Sequence, residues 1–244
     1  MGNIIELRNV AFSAQEGIIV QGITVEFAAG KTTAIVGPSG CGKSTVLKIS
    51  AGLLVPDQGE VLFMGKDVNQ MSRAENLAYR SKSAFVFQDS ALWANQNLYQ
   101  ILELPLRIHH PGMSKKERAE RIREVTAQVG YKKNLDIRPS RLSMGEQKLI
   151  GFARALLCKP ALLYLDEWTE SLDESSAERL NNIVKESQKE GVSIIFVSHD
   201  MRIIKELADF VVMIIDGQIS ARAPIDQIIH DLLLKDFLKL GEAS

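Results

Sequence analysis

Cysteine, histidine and long apolar runs are scarce in this sequence, and each shortage closes a class of function. Cys41 and Cys158 are the only cysteines, too few for a disulfide framework and without the CxxC spacing of a metal site. His109, His110, His199 and His230 are the only histidines, and none falls at ligand spacing with a cysteine, so no zinc site is expected. A reducing, cytoplasmic setting follows. Charge of one sign is lacking as well: 29 basic residues stand against 30 acidic ones, a formal net charge of −1. Such a balance leaves no electrostatic footprint for nucleic acid, which is not expected as a partner. The longest apolar runs, such as FVVMII at 210–215, fall far short of the roughly 20 residues that span a bilayer. The opening MGNIIEL has neither a basic flank nor a long apolar stretch, and Glu6 stands where a myristoylation motif needs Ser or Thr. No secretory signal, lipid anchor, repeat or low-complexity segment is expected.

What is present suffices for a sizeable core: 244 residues, 45% of them apolar, make one large domain or two small ones. Two β-like runs, IIELRNVAFS and IIVQGITVEFA, separated by the turn residues AQEG, predict an antiparallel hairpin or small sheet in the first 30 residues. TTAIV at 32–36 reads as a short strand entering the glycine cluster GPSGCGKS, after which STVLKISAGLL reads as a helix that stops before Pro56. Further buried-type strands are expected at SAFVFQ (83–88), ALLYLDE (161–167), SIIFVSHD (193–200) and FVVMIID (210–216), with helices between them such as SSAERLNNIVKESQKEG, ending at Gly191. Near-continuous apolar strands alternating with helices argue for an α/β fold whose parallel sheet is covered on both faces. From 89 to 157 the pattern is helical throughout and reads as a subdomain inserted into that core. The expected plan is one domain over 1–244, with a core at 1–88 and 158–225, helices at 89–157 and a helical tail at 226–244.

GPSGCGKS fits the phosphate-binding loop pattern G-x-x-x-x-G-K-[ST], with the strand before and the helix after that the mechanism demands. In it Gly37, Pro38, Ser39, Gly40, Cys41 and Gly42 wrap an anion, Lys43 neutralises the outer phosphates, Ser44 can bind magnesium, and Thr45 continues into the helix. LLYLDE ends a strand with Asp166 and Glu167, at the C-terminal edge where ligands of open α/β sheets bind. Asp166 suits magnesium through water, and Glu167 suits polarising an attacking water. Alone, such a pair is more often a solvated strand end; beside a phosphate loop the odds reverse. His199 ends SIIFVSH in the same position on another strand, within reach of a γ-phosphate. Gln88 ends AFVFQ at the entrance to the helical insert, and its amide can touch magnesium or the water and still let go, as a hinge must. In RLSMGEQ at 141–147, Ser143 and Glu146 precede the apolar positions Leu149, Phe152, Ala153 and Leu156 as a capping box. The same helix start, with a hydroxyl, a glycine and bare N–H groups, also suits a phosphate. From the residues alone it is a cap or a clamp.

The order phosphate loop, Gln88, LSMGE, LLYLDE, SLD (171–173) and His199 resembles the ATP-binding cassette ATPases, over residues 4 to 225. The resemblance implies a P-loop NTPase (RecA-like) core with a parallel sheet, an N-terminal antiparallel β subdomain and an inserted helical subdomain. It implies ATP and Mg2+ as cofactors, the stretch Gly37 to Thr45 as nucleotide contacts, Ser44, Gln88 and Asp166 at the magnesium, and Glu167, His199 and Gln88 in catalysis. It also implies a head-to-tail dimer, with an identical or a second cassette, in which Ser143, Gly145 and Glu146 of one chain hold the phosphate bound to the other. The cap is then also the clamp. The sequence departs from the family pattern at Met144, which replaces a glycine, at Glu146, which replaces glutamine, and at Trp168, where proline is usual. The adenine-stacking aromatic expected near Ala14 is missing, with only Phe12 close by, and SARAP near the cassette's end stands where a glycine is common.

By this resemblance the chain is the ATPase subunit of a membrane transporter, peripheral on the inner face of the cell membrane through a separate transmembrane permease. The permease is expected to dock near Leu92 and Trp93 in DSALWANQNLYQILELPLRI, although amphipathic core packing explains these residues equally well. The spacing up to ELPL is similar to lipid-transport (Mce-associated) and lipoprotein-release cassettes. An alternative is a soluble cassette ATPase of an assembly machine, such as one that builds an iron–sulfur cluster scaffold.

Overall fold

The computed structural model describes residues 2–14 and 17–229. In chain order its elements are β1 (Asn3–Ala14), β2 (Gly17–Ala28), β3 (Thr32–Val36), α1 (Lys43–Ser50), β4 (Gln58–Phe63), β5 (Lys66–Asp67), α2 (Arg73–Lys82), β6 (Ser83–Val86) and α3 (Leu98–His109). Then follow α4 (Lys115–Gln128), α5 (Met144–Leu156), β7 (Leu162–Asp166), α6 (Glu174–Lys189), β8 (Ser193–Val197), α7 (Met201–Leu207), β9 (Phe210–Ile215), β10 (Gln218–Pro224) and α8 (Ile225–Ile229). The helical tail expected over 226–244 lies, beyond residue 229, outside the described residues.

The chain divides into two compact units: the described residues of Met1–Asn76 with those of Gly191–Ser244, and Leu77–Glu190. These limits differ from the 89–157 insert expected from sequence, because β6, β7 and α6 cluster with the helices. In the first unit, β1 and β2 alternate in burial, with Ile5, Leu7 and Val10 on one and Val20, Ile23, Val25 and Phe27 on the other turned into the core. One face is dry and one wet, so the register is well specified. It runs antiparallel from Asn3 opposite Ala28 to Ala14 opposite Gly17. β4 adds to the free edge of β1, with Leu7 opposite Val61, giving the order β2-β1-β4-β5.

β3 is buried at all five positions, since it has parallel neighbours on both sides: Thr33 stands opposite Ile195 of β8 and Phe210 of β9. Its threonines, Thr32 and Thr33, are buried along with the apolar Ala34, Ile35 and Val36. The sheet is not wholly parallel, however. β9 turns back through Asp216 (φ 47°) and Gly217 (φ 72°), a two-residue loop of the hairpin type, and β10 pairs with it antiparallel.

In the second unit β6 and β7 pair in parallel, Val86 opposite Leu165, while α3, α4 and α5 pack on one another. Ile101, Leu102 and Leu106 of α3, Ile122 and Val125 of α4, and Ile150, Phe152 and Ala153 of α5 supply the buried apolar stripe. Each of these helices opens on a capping box, Asn97 with Gln100, Ser114 with Glu117 and Ser143 with Glu146, which satisfies N–H groups the helix cannot. At the far end of α5, Arg121 donates to the carbonyls of Leu156 and Leu157, at 2.9 and 3.1 Å. A cation there suits the negative end of the helix dipole.

Candidate functional site

The phosphate loop of the first unit is shaped by close backbone approach. A Cβ on Gly37 (φ 154°) would stand 2.1 Å from the carbonyl oxygen of Ile214, and one on Gly42 (φ 97°) would stand 2.7 Å from Cγ1 of Val20. Only glycine fits either place. Lys43 is the first residue of α1, and its buried ammonium donates to the carbonyls of Gly37 (2.9 Å) and Pro38 (2.7 Å). The loop is thereby closed around a cation. α1 has no acidic residue in its first turn and no side-chain cap, so its N-terminal N–H groups, beside Ser44 and Thr45, favour an anion. Ser39 and Gly40 are exposed and Cys41 is buried; burial pushes its thiol above the ordinary range.

A cavity of about 810 Å³ opens on this loop, with Pro38, Ser39, Gly40 and Cys41 on one side and Ala14, Ile18 and Gly217 on the other. Its size is that of a small-molecule site. The lining outside the loop holds Ile18, Ile19 and Asp216 and no aromatic side chain; Phe12, half-buried, is not part of it. His199 is placed differently from expectation. β8 ends at Val197, so His199 lies in the turn beyond it, exposed, just before Asp200 caps α7.

The second unit holds the carboxylates and the capping box. β7 ends on Asp166, which is buried, and Glu167 then turns into the left-handed region with φ 44°. Trp168 after it is fully buried. Gln88 also departs from expectation: β6 stops at Val86, and Gln88 is exposed in the turn that follows. Its side-chain amide donates to Glu170 at 2.9 Å.

At the start of α5 the cap expected from Ser143 and Glu146 is formed in both directions. The Glu146 N–H donates to the Ser143 hydroxyl at 3.2 Å, and the Ser143 N–H donates to the Glu146 carboxylate at 3.0 Å. Lys133 stands 2.5 Å from that carboxylate and is the chief cause holding it below the usual carboxylate range. Gly145 sits close to the 171–173 turn, where an added Cβ would meet the carbonyl of Ser171 at 3.3 Å.

Two cations on α5 escaped the sequence reading. Lys148 donates to the carbonyls of Gln88 (2.5 Å) and Glu167 (3.0 Å), and Arg154 to those of Ala91 (2.7 Å) and Ser90 (3.0 Å). Burial pushes the lysine below its ordinary range, against the upward pull of Glu170, Asp166, Glu167 and Asp89. The signal for Lys148 was legible: it lies one helical turn before the apolar Phe152, on the same face of α5. Arg154 also stands 5.9 Å above the ring of Trp93, the exposed aromatic expected at the permease surface.

The family described as ABC transporter matches residues 20–170. The chain belongs to the ABC transporter family. The cassette is 35% identical to the oligopeptide transport ATP-binding protein OppF of Escherichia coli over 218 residues, 88% of this chain and 65% of that protein. It therefore spans a little under two thirds of that relative. Against the intermembrane phospholipid transport system ATP-binding protein MlaF of Haemophilus influenzae it is 31% identical over 245 aligned positions, 99% of this chain and 92% of that protein. Among solved structures it resembles the dimeric, post-hydrolysis state of the ATP-binding cassette MJ0796 bound to ADP and Pi, with a TM-score of 0.83, 28% identity, and 91% and 98% of the two chains covered.

The close approach at Gly37 makes a sharp test of the loop. Gly37→Ala is expected to weaken nucleotide binding by at least about tenfold, or 1.4 kcal/mol, because its methyl would meet backbone that cannot give way. Gly40→Ala, with nothing within 4 Å of the new Cβ, should cost less. Titration with a fluorescent ATP analogue separates the two, and wild-type affinity in Gly37→Ala would remove the loop from nucleotide binding.

Proposed function

We propose that the chain is the ATP-hydrolysing subunit of a membrane transporter, working as a head-to-tail dimer that drives a separate permease. The observation that carries this reading is the loop Gly37–Ser44, where glycines held against backbone and a buried ammonium form a phosphate cradle beside a nucleotide-sized cavity. In this reading ATP is the substrate, its phosphates wrapped by the stretch Gly37 to Thr45 with Lys43 as counter-charge. Water attacks the γ-phosphorus, the bond to the β–γ bridging oxygen breaks, and ADP and phosphate leave. Glu167 takes the proton of the attacking water. His199 orients the γ-phosphate and Gln88 the water.

The Ser44 hydroxyl, the Gln88 amide oxygen and the Asp166 carboxylate are hard oxygen donors of the kind magnesium takes. Among the described residues no cluster of three or more His, Cys, Asp or Glu side chains is placed to hold a metal. A site with few carboxylates suits an ion that is bound by one or two of them together with substrate phosphates. Magnesium would neutralise charge developing on the phosphate oxygens.

The half-exposed Trp93, with Leu92 beside it, is our docking point for the permease, and the Arg154 guanidinium over its ring ties that surface to α5. No helix among the described residues is long and apolar enough to cross a membrane, so we place the subunit on the inner face through this partner. The end-to-end match to a phospholipid transport cassette supports a lipid cargo; the cassettes for oligopeptides match a shorter share of their own length.

Glu167→Gln should lower kcat by about 10²–10⁴-fold, the worth of a positioned base, while ATP still binds and an ATP-bound dimer accumulates in light scattering. Hydrolysis near the wild-type rate removes Glu167 from the proton-accepting role. Ser143→Arg should leave ATP affinity of the monomer intact and prevent ATP-driven dimerisation. Loss of the cap alone costs about 1 kcal/mol and would lower the melting temperature without touching assembly, so a variant that melts lower yet still dimerises with ATP defeats the clamp. With no aromatic side chain in the cavity lining, GTP should be hydrolysed within about tenfold of ATP, a gap of roughly 1.4 kcal/mol. A larger preference for ATP in a direct comparison of kcat/KM would show that another group reads the base.

A further inference from the structure

We propose that Lys148 is a positioning residue for hydrolysis, its one ammonium tying the backbone after β6 at Gln88 to the backbone after β7 at Glu167. The inference rests on Glu167 taking the proton of the attacking water.

Three observations within the second unit carry it. The ammonium donates to both carbonyls at once, 2.5 Å to Gln88 and 3.0 Å to Glu167, so neither can shift without stretching the other's bond. Lys148 is 3% exposed, and a buried lysine that loses its acceptors is left with an uncompensated charge. Glu167 has φ 44°, a conformation that costs a non-glycine residue free energy unless its surroundings enforce it. The residue proposed to accept a proton therefore sits at a strained turn whose carbonyl is held by the lysine. Asp89, Asp166, Glu167 and Glu170 act on the ammonium electrostatically, so the lysine is also the positive charge facing that acidic group. Because Ser143 caps α5, the same helix that would meet a partner's phosphate carries the lysine that sets Glu167. The clamp and the base share one rigid element.

The test is steady-state hydrolysis of Mg-ATP by the full chain carrying Lys148→Met, alongside Lys148→Arg and Glu167→Gln. We expect Lys148→Met to lose at least about tenfold in kcat with KM and ATP affinity within about twofold of wild type. Lys148→Arg, which keeps the charge and the donors, should recover most of the rate. A wild-type kcat in Lys148→Met overturns the proposal, and so does a loss of rate that Arg does not rescue and that falls in step with ATP affinity. If Lys148→Met does not fold, Arg is compared with Lys148→Gln, which keeps a donor without the charge, and equal rates for the two overturn it. A slow Glu167→Gln beside a fast Lys148→Met sinks this inference alone, whereas a fast Glu167→Gln sinks the reading beneath it.

Discussion

A steric constraint at Gly37 governs the nucleotide half of this molecule: the chain leaves β3 so close to β9 that no side chain fits. The same crowding recurs around it. Gly42 presses on Val20 of β2, and a Cβ on Gly217 would stand 2.4 Å from the Ile19 carbonyl. Gln21 donates to the Gly217 carbonyl at 2.9 Å, which fastens β2 to the β9–β10 turn. The loop is thus wedged between two sheets that share the first unit. With its backbone so placed, the Gly37 and Pro38 carbonyls turn toward Lys43, and the ammonium holds them together. Rigid backbone of this kind sets N–H groups in advance for a phosphate, which is where electrostatic binding gains most.

The second unit solves a different problem, that of ending two parallel strands on residues that must present side chains in unusual directions. Both ends use left-handed backbone without glycine: Ser90 and Ala91 after β6, and Glu167 after β7. Each such residue costs of order 1–3 kcal/mol and persists only if its surroundings over-determine it. Here the surroundings are two cations on α5, the half-buried Arg154 for the first segment and the buried Lys148 for both. Burying cations is itself unfavourable, and it is tolerable because carbonyls and the nearby carboxylates replace water around them. Gly151 lies between the two on the same helix, and a Cβ there would stand 3.2 Å from Ser90, so the helix and the loop meet without a gap.

Much of this was legible in the residues. β3 and the parallel strands beside it follow from apolar runs, and the strand, loop and helix around Lys43 follow from the motif. β10 was missed although IIDGQI carries an Asp-Gly hairpin signal, because QISARAP has a weak apolar pattern beside the strong FVVMII. The strand read as ending at Gln88 stops at Val86 although the apolar Phe87 follows, so hydropathy does not mark where pairing stops; at His199 the polar Ser198 already marks the end of β8 at Val197. Arg154 was hidden because a charge on a helix reads as a solvated face by default, and Lys148 falls under the same default despite its place one helical turn before the buried Phe152.

The departures at the start of α5 leave its cap intact, and the clamp we propose uses the same helix end. Met144 is 71% exposed, so its side chain stays clear of the cap that forms behind it. The capping box consumes the Glu146 N–H through the Ser143 hydroxyl, leaving the N–H groups of Met144 and Gly145, which have no acceptor within the helix. A carboxylate at this end would repel a phosphate, yet Glu146 is already paired with Lys133 and with the Ser143 N–H. Its charge is answered locally before any anion approaches. The cap therefore orders the first turn and neutralises the acid that replaces glutamine, while the remaining donors still point outward along the helix axis, where the dipole favours a negative charge.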